Sequence, residues 1–163
     1  MANVSSTLTS YLFGLLTADT GLDYHLIAGL EDDGLSFRGE SHSVVIQNTS
    51  PDLAERSQTV RYPAIYLYCE KITNSLKEKF ATFSGRGRLV VEVRCSQDRI
   101  EGMERSVERY ADAVCRVLDG ARGTWQDGAY YTGGYEVAFT TLKHGGKNFL
   151  QIARISFDVE VSR

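Results

Sequence analysis

From Ala153 to Val161 the chain changes polarity at every step: Ala153, Ile155, Phe157, Val159 and Val161 alternate with Arg154, Ser156, Asp158 and Glu160. A period of two sustained this long fits an extended strand, expected over Phe149 to Val161, with one face in a core and one toward solvent. Arg88 to Cys95 repeats the pattern, Leu89, Val91, Val93 and Cys95 facing one way and Arg88, Glu92 and Arg94 the other. Between these strands the period changes. Met103, Val107, Tyr110, Ala111, Val114, Val117 and Leu118 recur at three- and four-residue spacing, opposite a polar face of Arg105, Glu108, Asp112 and Arg116. That is an amphipathic helix, with Gly120 closing it and Asp98 plus Glu101 in the form of a capping box.

The rest of the chain extends this frame. Leu8, Tyr11, Leu12, Leu15 and Leu16 predict a first helix over about Ser6 to Ala18, with Ser5 or Ser6 as N-cap. Gly21, Gly29, Asp32, Asp33 and Gly34 read as irregular chain, and residues from about 19 to 42 are expected to form one irregular loop. Ser43 to Asn48 reads as a weak strand around Val44, Val45 and Ile46, and Pro51 to Thr59 as a polar loop. Pro63 to Glu70 sets Ile65, Leu67 and Cys69 against Tyr66 and Tyr68, which suggests a strand covered on both sides. The Lys71 to Gly87 link is long for a hairpin. Tyr135 to Leu142 is a further strand, and His144-Gly145-Gly146-Lys147 a turn. The order helix, weak strand, strand, strand, helix, strand, strand predicts a single α+β domain over residues 1–163, with a mixed, mostly antiparallel sheet and two main helices packed on one face. A chain of 163 residues buries enough surface to fold without a metal or disulfide staple.

Charge and cysteine narrow the function. A net charge of −3 argues against a dedicated nucleic-acid binder, although Lys71, Lys77, Lys79, Arg86, Arg88, Arg94 and Arg99 crowd one stretch. Cys69, Cys95 and Cys115 are odd in number and form no C-x-x-C, so reduced, buried thiols are expected. His25, His42 and His144 stand apart, without zinc spacing. Gly85-x-Gly87 precedes a strand, and Gly145-Gly146-Lys147 lacks the remainder of a phosphate loop. No G-x-S-x-G occurs, and no cysteine has the context of a nucleophile. The reading is a non-enzyme with no catalytic residue, metal or cofactor. No apolar run would span a bilayer, and the Met-Ala-Asn-Val-Ser-Ser start lacks the basic region of a signal peptide.

The layout resembles the tail terminator (tail completion) proteins of long-tailed bacteriophages. The resemblance rests on the N-terminal helix and acidic loop before Arg61-Tyr62-Pro63-Ala64-Ile65-Tyr66, and on Val91-Glu92-Val93-Arg94 leading through Ser96-Gln97-Asp98 into the long helix. It ends on Arg154-Ile155-Ser156-Phe157-Asp158-Val159-Glu160-Val161, and covers roughly residue 5 onward. It implies a virion protein, assembled in the host cytoplasm, that forms a hexameric ring at the head-proximal end of the tail tube. Such a ring stops tube polymerisation and offers a surface for head–tail joining. The implied partners are copies of itself, the tail tube protein and the head–tail connector protein, with genomic DNA passing through the lumen and no membrane involved. The two-sided strand and the weak strand are the expected subunit contacts (Ile65, Tyr66, Tyr68, Val44, Val45 and Ile46), and a projecting basic loop (Lys77, Lys79, Arg86 and Arg88) is expected to face a partner or the DNA. Two other readings stay open: a head-closure or connector protein of the phage neck, and a small α+β enzyme or ligand-binding domain.

Overall fold

A computed structural model describes residues 3–32, 42–46, 51, 60–76, 78–141, 143–145 and 148–163. Among them are three helices, α1 (Val4–Thr17), α2 (Leu22–Asp32) and α3 (Met103–Gly120), and eight strands. The strands are β1 (Ser43–Ile46), β2 (Ala64–Asn74), β3 (Ser84–Gln97), β4 (Gly123–Thr124), β5 (Ala129–Tyr131), β6 (Glu136–Phe139), β7 (Lys143–Gly145) and β8 (Asn148–Ser162). They form one mixed sheet in the order β1-β2-β3-β8-β5-β4, with β6 and β7 also pairing along β8. Among the described residues only β1 against β2 is parallel. The fold is α+β, with its helices on one face of the sheet.

The two alternating segments became the central pair, β3 and β8, in antiparallel register from Ser84 opposite Ser162 to Gln97 opposite Phe149. Leu89, Val91, Val93 and Cys95 of β3 join Ala153, Ile155, Phe157, Val159 and Val161 of β8 in the core beneath the helices. Helix α3 covers them with Val107, Tyr110, Ala111, Val114 and Leu118. Helix α1 lies beside it, burying Val4, Leu8, Leu12 and Leu16. A Cβ on Gly87 would stand 2.6 Å from Leu8 Cδ1, so α1 approaches β3 over bare backbone.

In β2 a bulge absorbs a change of phase. Ile65, Leu67 and Cys69 face the helices, and strict alternation would turn Ile72 outward. The register shifts between Cys69 and Lys71, leaving Glu70 as the extra residue and returning Ile72 to the core side opposite Gly87.

Several local expectations are corrected. Irregular chain was expected from Gly21 onward, but Leu22–Asp32 is helix, burying Leu22 and Leu26 one turn apart. A single buried i, i+4 pair among glycines and acids is too short a stripe to register as periodicity. Residues 33–41 of the expected loop lie outside the described residues. The first helix starts at Val4 after Asn3, so Ser5 and Ser6 sit in its first turn, where their carbonyls accept from the Thr9 hydroxyl. The capping box does not form, because α3 starts at Met103, beyond both Asp98 and Glu101. Gly102 stands at the N-cap with φ 79°, a conformation that suits glycine. Two short strands that no alternation marks, Gly123–Thr124 and Ala129–Tyr131, pair as β4 and β5 at the sheet margin.

Candidate functional site

The described surface has three distinct regions: the polar face of the sheet, the end of the β2–β3 hairpin and the two sheet margins. On the polar face the charged residues of the alternating strands meet across neighbours. Arg94 is only 3% exposed and Glu92 8%. The guanidinium donates to Glu92 Oε2 through Nη2 at 2.8 Å and Nε at 3.1 Å, and lies 5.7 Å from the centre of the Tyr66 ring. The Tyr68 hydroxyl donates to Glu92 Oε1 at 2.7 Å. Burial first, and then that carboxylate, push the Tyr68 phenol up to about 12, so it remains a neutral donor through the physiological range.

Further along, the bulged Glu70 takes both Arg88, at 3.3 Å, and Arg154. Arg88 also donates to Glu136 at 3.0 Å and to the Ser156 hydroxyl at 3.1 Å, while Arg86 stands 3.8 Å from Asp158. The alternation therefore located the polar side correctly but not its burial. Glu92, Arg94 and Ser156 are enclosed, which they tolerate because each has a polar partner.

The expected basic loop is corrected in place. Arg86 and Arg88 are strand residues of β3, opposite Thr73 and Lys71 of β2, and both pair with carboxylates. The connection that leaves the sheet runs only from Ser75 to Phe83. Lys79 lies there, exposed, and Lys77 is outside the described residues. The connection is tied down at its base: Phe83 and Arg163 exchange backbone hydrogen bonds, and the Ser162 hydroxyl donates to Glu78. Beside the charged Glu78 and Lys79 it presents apolar side chains, with Phe80 wholly exposed, Leu76 nearly two-thirds exposed and Tyr130 on adjoining β5 half-exposed.

Of the expected contact residues, Ile65 and Tyr66 are buried within the chain, Ile65 in the core and Tyr66 under Arg94. Tyr68 is half-buried. Val44 and Ile46 pack against the core from the edge, and Val45 is exposed on the polar side. Beyond β1 no further strand is seen among the described residues. Ser43–Ile46 carries no charge, proline or bulge, so shortness is the one edge-guarding feature its own four residues supply. His42 fixes its start, with Nε2 3.3 Å from Asp23 of α2 and its ring edge-on to Tyr110 of α3.

Among the described residues no His, Cys, Asp or Glu group could hold a metal ion, and no helix is long and apolar enough to cross a membrane. Burial raises the Cys115 thiol to about 11 and lifts Cys69 as well, which keeps both from acting as thiolates near neutrality. The chain matches no protein-family model and no curated protein sequence.

Proposed function

We propose that this protein is a phage virion component that closes into a hexameric ring at the head-proximal end of the tail tube, ends tube growth and offers the next surface for head joining. The observation that carries the reading is the outer edge of β1, an uncharged strand with Val45 exposed and no further strand beyond it among the described residues. The unpaired N–H and C=O groups of such an edge are a template on which a strand of another chain can pair. The element order on which the resemblance rests supports it further: an N-terminal helix, two long paired strands, the amphipathic helix and a long C-terminal strand.

In this reading the strand ends point along the ring axis, so the hairpin end with the exposed Phe80 faces the tube or the connector. The exposed end of the polar face, where Arg86 and Arg88 are matched by Asp158, Glu70 and Glu136, turns toward the lumen. Cations already paired would hold passing DNA weakly, as a conduit requires. The test is the solution mass of the purified protein with negative-stain images. A closed particle of six times the 18.1 kDa chain is expected. A chain that stays monomeric both alone and with tail-tube protein would overturn the reading.

A further inference from the structure

The sheet has a second open margin, and its register relates it to the first. Reading straight across the paired strands, Val44 stands opposite Ile65, Ile65 opposite Val93, Val93 opposite Ala153, and Ala153 opposite Phe139 of β6. One row along, Val45 leads through Tyr66, Glu92 and Arg154 to Ala138. The next row runs from Ile46 through Leu67, Val91 and Ile155 to Val137. β1 and β6 therefore lie level with each other across four strand spacings, while β5 and β4 extend the sheet only beside the C-terminal end of β8. β1 and β6 have four residues each, and no strand pairs with the outer side of either among the described residues.

Side-chain character matches row by row. Val44 and Ile46 face the helix side of the sheet, and so do Phe139 and Val137. Val45 and Ala138 share the polar side. None of the six is charged, and Phe139 and Val45 are among the large apolar residues left exposed. Strand direction matches too. β1 runs with β2, against β3, with β8 and against β6, so rotation about an axis along the strands brings β1 of one copy antiparallel to β6 of the next.

We infer that β1 of each copy pairs in antiparallel register with β6 of its neighbour, Val44 against Phe139, Val45 against Ala138 and Ile46 against Val137. This contact, which rests on the ring reading, joins the sheets into one continuous band. The occupant of the edge is a second copy of this chain, because the complementary margin belongs to the same molecule. The contact is heterologous, so it propagates until rotation closes the ring, and every β1 and β6 then has a partner. On the helix side it would cover the half-exposed Phe139 ring with Val44 and Ile46.

The test is a chain bearing Val44→Cys and Phe139→Cys, oxidised after assembly and compared with each single variant. Within one chain these positions are four strand spacings apart, about 19 Å, too far for a disulfide. Covalent dimers and higher multiples up to the closed ring are expected from the double variant and from neither single one. If the native particle is a ring but the double variant stays uncrosslinked, the edge pairing is wrong and the ring reading stands. A protein that never oligomerises removes both.

Discussion

Val114→Asp is expected to leave little folded protein. Val114 is completely buried in the middle of α3, between the sheet and the inner side of the helix. Its surroundings are Val107, Tyr110, Leu118 and the apolar side chains of β3 and β8. A carboxylate there would have to be buried without a partner or protonated, and either route costs several kcal/mol. A domain of this size has roughly 5–15 kcal/mol in hand, so the loss is on the order of a third of its stability or more. Thermal or urea unfolding followed by circular dichroism measures the effect. An unchanged melting curve in a soluble variant would show that α3 does not pack as described.

Arg94→Met comes second in size. The apolar stem is retained and the guanidinium removed, leaving Glu92 enclosed with the Tyr68 hydroxyl as its remaining described partner. Breaking a buried pair from one side costs on the order of 3 kcal/mol, because the surviving charge has lost its solvent and its counterion alike. The double variant Glu92→Leu with Arg94→Met removes both charges and is expected to recover most of that loss, as a double-mutant cycle would reveal. If the single and double variants are equally destabilised, the cost lies in packing around Tyr66 rather than in the ion pair.

Legibility in the sequence followed the length of the periodic signal. β3, β8 and α3 repeat their pattern over many residues, and each appeared where its apolar positions placed it. α2 was invisible because two leucines one turn apart do not make a stripe, and β4 and β5 because so few residues are paired. The bulge at Glu70 could not be read either, since a single out-of-phase Ile72 looks like the end of a strand. For the surface, charge proved a poor guide. A run of lysines and arginines suggested a basic loop, but cross-strand neighbours distant in sequence supply Glu70, Glu136 and Asp158. That balance depends on register, which sequence spacing does not specify. The open edge at Val44 to Ile46 was legible as a weak strand. Its match to β6 was not, because it follows from counting rows across five strands.

Tail length without this protein tests the central claim most directly. If the proposed function holds, deleting its gene from the phage genome that carries it should give, by electron microscopy, tail tubes of uncontrolled length together with heads that have no tails. Tails of normal length that merely fail to join heads would contradict a role in ending tube growth and point to a connector of the neck. Heads and tails joined in normal numbers would contradict any part for it in tail completion.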